Sequence, residues 1–598
     1  MVSDSLLTVV PWFVDVESLS SDHIPTYTVH SGLSDGRHFK HKDSKTNRDD
    51  LPKIEDTSGD IKMHRDILSA SAMKYNQCQC NELDLLRKVK SCSYIIFSYI
   101  FQNATTLLLP VIFATVVSKC YATKQHKVVS TTSGLVRGTI LQTTAGPACT
   151  FFGIPYAEPP TGNLRFRKPL SKKYWKGVLN ATSIPPLCAQ LPARFHTYFA
   201  VKSSDATSED CLFLNLFAPV PKRSRLKPVI VYIHGGAFSH GGIAMKIFDA
   251  SELAVRGDVV VVTVAYRLNA FGFLDMGVED APGNMGLYDQ LLALRWVKAN
   301  ARAFCGNPDA ITLMGQSSGS ISVGFHLMWP QSKGLFRRAI MQSGSPLSPV
   351  AISTKAEAAY RAMLLTTHLG CDQNGSRKLT TAEAVRCLRS KPSAAILNAT
   401  SSFNSNGFDD FFPVIESSFI SLESELHRNE LNARELLAGI CGAEGDSVIT
   451  HLLATISDND DIAHIRKRSI VLLMKAVMAS RLSSDIEPII EKYFGHIAAS
   501  DSQGAVYAAA DIVTHAQFSC PTVNFVKAFM RPGTTAYVYE LSQQPSFIDW
   551  PKWVRPTHGD DIVFSLGSTF ALRVNATEAD VRATNNIIRI VSTFSHSG

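Results

Sequence analysis

Gly315-Gln316-Ser317-Ser318-Gly319 places a serine between two glycines at the spacing G-x-S-x-G. A short apolar run, Ile311 to Met314, leads into it, and a helix-compatible segment follows. A strand that turns sharply into a helix leaves such a serine oxygen exposed at the turn, and glycines on either side let the backbone pass closely. The pentapeptide by itself could be an ordinary surface turn, because its residues are common. Serine is a poor nucleophile at neutral pH. It needs a base within hydrogen-bond reach, and the base needs an acidic partner to fix its tautomer. An acyl-transfer intermediate also needs hydrogen-bond donors for its oxyanion.

Elements able to position such a set follow from about Val128 onward. Ser133 to Gly138 reads as a strand–turn signal, and Phe152 to Pro160 as a loop stiffened by three prolines. Val229–Ile233 and Val259–Val264 are β-branched runs without polar alternation, as expected of central strands covered on both faces. Gly286 to Phe304, with Leu287, Leu291, Leu292, Leu294 and Trp296, reads as a helix packed by one broad face. Further strands are expected at Ala310–Met314, Ala339–Met341, Leu436–Ile440 and Ala536–Glu540. Strands alternating with helices predict an α/β fold with a mostly parallel central sheet.

With 598 residues the chain has ample length for a large core, and its 45% hydrophobic and 19% charged content suits a globular protein. The net charge of +7 is dispersed, and Arg466-Lys467-Arg468 is the one uninterrupted basic triplet, so no nucleic-acid footprint is expected. None of the 12 cysteines forms a paired C-x-x-C set with metal spacing, and no metal or organic cofactor is implied. Asn-x-Ser/Thr acceptors at Asn103, Asn180, Asn374, Asn398 and Asn575, together with the cysteines, point to an oxidising secretory compartment.

Residues 1–86 are polar with little apolar periodicity and read as a disordered extension; a mis-called gene start is the alternative, with Met63 and Met73 nearer the next feature. Residues 87–118 pair a basic flank with a mostly apolar run. That run reads as a type II signal anchor, as a signal peptide, or as a buried helix. On either of the first two readings the remainder faces the lumen or the outside, and if the run spans the membrane, Asn103 lies in lipid and is not glycosylated.

Two long motifs make the region from 128 to 598 specific. Glu209-Asp-Cys-Leu-Phe-Leu-Asn-Leu-Phe-Ala-Pro219 and Phe304-Cys-Gly-Asn-Pro-Asp-Ala-Ile-Thr-Leu-Met-Gly-Gln-Ser-Ser-Gly319 are joined by Tyr266-Arg267, Ala281-Pro-Gly-Asn284 and Gln342-Ser-Gly-Ser-Pro346. With them the chain resembles the type B carboxylesterase/cholinesterase family of α/β-hydrolases, departing from the serine signature at Cys305. The resemblance implies Ser317 as nucleophile, Glu444 (in Gly439 to Gly445) as acid and His558 (in Thr557 to Asp561) as base, in the chain order Ser, acid, His of such folds. It further implies an oxyanion hole from the amides of Gly235 and Gly236, in the His234-Gly-Gly loop, and of Ser318. Ser343 resembles the hydroxyl beside the acid and base, and Gln316 stands where the family commonly has Glu. Cys188–Cys211 and Cys371–Cys387 resemble the family's intrachain disulfides. Cys520 matches a third whose partner would lie near the C-terminus. No later cysteine exists and the chain stops before the family's usual final segments, so the domain reads as truncated.

The implied activity is that of a serine carboxylic ester hydrolase acting on a small-molecule ester through an acyl-enzyme. Loss of the carboxylate at Gln316 weakens attraction for a cationic substrate. Between Cys188 and Cys211 stand Phe195, Tyr198 and Phe199 but no Trp to hold a quaternary ammonium. Pro349-Val350 likewise replaces the family's pocket Trp. A broad apolar acyl pocket, drawing on Phe408, Phe411 and Phe412, is expected instead. The alternatives are a choline ester or hormone ester hydrolase, and a non-catalytic adhesion protein of the neuroligin kind, which typically loses the serine. Oligomeric state is not legible.

Overall fold

The β-branched runs form the middle of one twelve-stranded sheet. The computed structural model describes residues 8–11 and, apart from 193–200, 203, 221–224, 350–351, 376, 403–410, 415–430, 454–461 and 480–484, residues 126–598. Across the sheet the strands run Thr8–Pro11, Thr535–Leu541, Glu435–Cys441, Arg338–Gln342, Gly306–Gln316, Lys227–Ile233, Val260–Val264, Phe213–Pro219, Pro147–Pro155, Gly134–Gln142 and His126–Thr131. Val178–Asn180 pairs beside Gly134–Gln142 as the twelfth. From Thr535–Leu541 to Val260–Val264 every neighbouring pair is parallel. The strands from Phe213–Pro219 to His126–Thr131 add an antiparallel margin. All six expected central strands are present, and the α/β class stands.

Why the central runs lack polar alternation is visible in Lys227–Ile233. Val229, Val231 and Ile233 enter one core with Leu287, Leu291 and Leu294 of the helix Met285–Asn300. Ile230 and Tyr232 point the other way, into a core with Leu253 of the helix Ser251–Gly257 and Ile587, Ile588 and Val591 of the helix Glu578–Ser597. Side chains alternate across a strand, so helices on both faces require apolar residues at every position.

One expectation needs correction. Phe152 to Pro155 are not loop but the end of the strand Pro147–Pro155, which pairs with Phe213–Pro219 through a register shift between Phe151 and Ile154. Gly153 takes φ 72° at that irregularity, and the loop begins only at Tyr156. A proline at a strand terminus costs no ladder bond, which is why the Pro count misled.

A third cluster gathers the helices Gly445–Leu453, Lys467–Ala479, Glu487–Phe494 and Ser502–Val513. Two disulfides are formed, Cys188–Cys211 and Cys371–Cys387, closing 23- and 16-residue separations. Loops of that size contribute about 3 kcal/mol each in the chain-entropy account. Cys520 is free and exposed. Asn180, Asn398 and Asn575 are exposed. Of the sequence expectations, the bulk of residues 1–86, the apolar segment 87–118 with Asn103, and Phe195, Tyr198, Phe199 and Phe408 lie outside the described residues. Among the described residues no helix is long and apolar enough to cross a membrane, and no cluster of His, Cys, Asp and Glu could hold a metal ion.

Candidate active site

Ser317 sits between the end of the strand Gly306–Gln316 and the start of the helix Ser318–Met328, at φ 56° and ψ −126°. A side-chain-bearing residue rarely adopts a left-handed φ, and such strain, of order 1–3 kcal/mol, persists only where the surroundings enforce it. The glycines are what permit it. A Cβ on Gly315 would lie 2.4 Å from the Gly319 carbonyl, and one on Gly319 would lie 2.1 Å from the Ile233 oxygen. The Ser317 amide donates to the Gln342 carbonyl at 2.9 Å, tying the turn to the neighbouring strand.

Glu444 and His558 reach Ser317 from loops far apart in sequence. The Ser317 hydroxyl lies 2.8 Å from His558 Nε2, and His558 Nδ1 lies 2.7 Å from Glu444 Oε2. A carboxylate only accepts, so Nδ1 carries the proton and Nε2 is free to take the serine's. Glu444 is fully buried, and its Oε1 accepts from the Cys441 amide at 2.7 Å. The residue follows the strand Glu435–Cys441 directly. Gly445 packs so closely on the helix Ser502–Val513 that a Cβ there would lie 2.0 Å from the Ala510 oxygen.

The two loops are stitched to each other. The Ala443 amide donates to the Pro556 carbonyl at 2.8 Å, and the Ser447 amide to the Thr557 hydroxyl at 2.8 Å. Arg555 donates to both oxygens of buried Asp446, at 2.8 and 3.1 Å, and to Asp511 at 2.8 Å. Paired carboxylates raise the Arg555 guanidinium above its ordinary value against the opposing effect of burial. Bidentate geometry of this kind holds orientation better than a single point contact does.

Two more carboxyls stand beside this pair. Asp560 accepts from the Thr557 amide and the Trp550 indole, yet burial pushes its pKa up to about 8. Burial, with the charge of Glu444, pushes Asp561 up to about 7. Ser343, held at φ 52°, donates its hydroxyl to Asp561 Oδ2 at 2.9 Å rather than to the triad itself. Asp561 Oδ1 and Gln316 Nε2 are buried without a partner among the described residues.

On the opposite side of Ser317, the turn after the strand Lys227–Ile233 carries Gly235 and Gly236. A Cβ on Gly235 would lie 2.9 Å from Ser317 Cβ, so the backbone lies against Ser317. Gly236 takes φ 114°, followed by Ala237 at 52° and Phe238 at 60°. The Gly235 carbonyl lies 2.7 Å from His234 Nδ1, and the Gly236 carbonyl accepts from the Ser239 and His240 amides. Across trans, planar peptides the N–H groups of Gly236 and Ala237 point away from those occupied carbonyls. Ala237 follows the expected pair on the same turn, marked in sequence only by its place after two glycines. Burial holds His234 down at about 4, so its imidazole is neutral, stacked on Tyr266 with centroids 4.5 Å apart.

An aromatic side chain packs against His558. Phe518 lies against the His558 ring, with centroids 4.5 Å apart, and is presented by a single π-helical segment, Thr514–Ser519. Such segments concentrate at functional sites. Phe412 meets Phe238 edge to face at 6.5 Å, and Phe411 and Phe412 are both buried. Nothing in the periodicity around Phe518 distinguishes it from a core residue, and the sequence reading missed it.

The family model described as the carboxylesterase family matches residues 125–598. Acetylcholinesterase of Bungarus fasciatus is 34% identical over 481 residues, covering 79% of this chain and 78% of that protein. Cholinesterase of Mus musculus is 33% identical over 487 residues, covering 80% and 79%. The chain belongs to the carboxylesterase family, and its activity at that level is carboxylic ester hydrolysis.

Proposed function

We propose that this carboxylesterase-family chain hydrolyses uncharged esters with apolar acyl groups through a covalent acyl-enzyme on Ser317. The observation that carries the mechanism is the continuous relay from Ser317 through His558 to Glu444, at 2.8 and 2.7 Å. Ser317 Oγ attacks the ester carbonyl while His558 Nε2 takes its proton, and Glu444 stabilises the imidazolium that results. The oxyanion is received by backbone amides of the Gly235–Ala237 turn and of Ser318, at the N-terminus of the helix Ser318–Met328. Each such donor is worth roughly 3 kcal/mol of barrier. His558 then protonates the departing alcohol. Water, deprotonated by the same imidazole, releases the acid and restores the serine.

The substrate class rests on charge and shape. Gln316 is buried and neutral beside the nucleophile. Phe518, whose ring lies against His558, offers apolar surface beside the triad. A choline ester is the second reading, because two relatives carry the names acetylcholinesterase and cholinesterase. Against it stand the absence of Trp between Cys188 and Cys211 and the loss of a carboxylate at 316. Matched panels decide: kcat/KM on 3,3-dimethylbutyl acetate, the uncharged isostere of acetylcholine, is expected to equal or exceed that on acetylcholine. A clear preference for acetylcholine overturns the substrate reading and leaves the esterase chemistry standing.

A further inference from the structure

Gln190 lies two residues past Cys188 and is 4% exposed. Its Oε1 accepts from the Gly241 amide at 2.8 Å. Its Nε2 donates to the Gly241 carbonyl at 2.8 Å and to the Cys188 carbonyl at 2.9 Å. One carboxamide thus uses its acceptor and both donors. The orientation admits no flip, because a reversed amide would set its NH2 against the Gly241 N–H and its oxygen against two carbonyls.

What Gly241 touches gives this clamp its consequence. Gly241 takes φ 95°, and a Cβ there would lie 2.9 Å from the Gly235 oxygen and 3.2 Å from His234 Nδ1. The Gly241 backbone therefore backs the carbonyl whose peptide carries the Gly236 N–H. The far end of the loop is held separately: Asn215 donates to the Ile243 carbonyl at 3.0 Å, and a Cβ on Gly242 would lie 2.7 Å from Leu187. The Gln190 carboxamide reaches the loop from outside and grips it by both backbone groups of Gly241.

We propose that Gln190 is a positioning residue of the hydrolase. It ties the oxyanion loop, at Gly241, to the backbone beside the Cys188–Cys211 disulfide, and so holds the Gly235–Ala237 amides where charge develops. This rests on the serine-esterase reading given above. Amides fixed in advance favour the tetrahedral state over the ground-state ester, so loosening them lowers kcat more than it raises KM.

The test uses the full chain with Gln190→Met, which keeps length and volume but no polar atoms. Gln190→Glu, which keeps shape but turns a carboxylate oxygen toward two carbonyls, is the second variant should the first fail to fold. For each, kcat and KM on p-nitrophenyl acetate are measured beside the Ki of a trifluoromethyl ketone, whose hydrate-like adduct with serine places an oxyanion in the same donors. Expected is a kcat about 10- to 100-fold lower, a KM changed by less than about threefold, and a Ki raised in step with the loss in kcat. Amide hydrogen exchange is expected to rise over 234–243 and to stay unchanged over 555–561. A folded variant with parental kcat and Ki overturns the positioning role, as does a loss confined to KM. A parent that turns over no ester at all removes the esterase reading itself, and is distinguished because the variants are then never the first to fail.

Discussion

The two halves of the site are built by different physics. The nucleophile half, the Ser317 turn with the Gly235–Ala237 loop, is held by steric closeness: Cβ atoms at 315, 319 and 235 would come within 2.1 to 2.9 Å of backbone or side-chain atoms. The acid–base half, apart from the close approach at Gly445, is held by charge and hydrogen bonds between distant segments, Arg555 with Asp446, Ser447 with Thr557, and Ser343 with Asp561. A half built on close approach tolerates no added atom. A half built on polar contacts loses function in steps and responds to pH.

The sharpest way to expose the difference is Gly319→Ala. One methyl group 2.1 Å from the Ile233 oxygen forces the helix Ser318–Met328 away from the sheet. Ester hydrolysis is expected to fall by at least about a thousandfold, with a lower Tm, because a displaced nucleophile forfeits its alignment. An alanine variant with near-parental kcat and Tm would mean that the turn relaxes freely, and the contrast between the halves would fall.

A smaller effect tests the polar half. Asp560 and Asp561 titrate near 8 and 7 in the fold, against about 3.9 for an unfolded aspartate. Between about pH 4 and pH 8 the native state therefore binds more protons than the unfolded chain, and stability falls as pH rises through that window. Asp561→Asn, which can still accept from Ser343, removes one of these protons. A shallower decline of unfolding free energy with pH is expected, by up to about 1.4 kcal/mol per pH unit near the middle of the window. An unchanged slope in denaturant titrations would show that Asp561 is ionised in the native protein.

The same division governs what the sequence made legible. Gly315 to Gly319 and His234 to Gly236 are contiguous, because close backbone approach demands glycines at fixed offsets; the first stood out in the residue types, although the pentapeptide alone could be a surface turn, and the second was recognised through the family resemblance. The central strands were legible too, since helices on both faces leave β-branched residues at every position of Lys227–Ile233 and Val260–Val264. Glu444 and His558 stand 114 residues apart and carry no local mark of their partnership. Family resemblance, and no spacing rule, pointed to them. Phe518 and Gln190 were beyond reach for the same reason. Each acts through a contact made only when separate segments meet, and a lone Phe or Gln signals nothing by itself. The antiparallel margin escaped because Pro147–Pro155 ends in a proline that reads as loop, although pairing with Phe213–Pro219 absorbs it.

The central claim is that Ser317 is an activated nucleophile because His558 and Glu444 act on it in series. The direct measurement is the rate of labelling by a fluorophosphonate probe, read as intact mass and by peptide mapping, for the parent, Glu444→Gln and Ser317→Ala. The account predicts one adduct on the parent, mapped to Ser317, none on Ser317→Ala, and labelling of Glu444→Gln slowed about a thousandfold or more, as expected when the base is left in the wrong tautomer. A folded parent that takes no label, or a Glu444→Gln variant labelled at the parental rate, would contradict it.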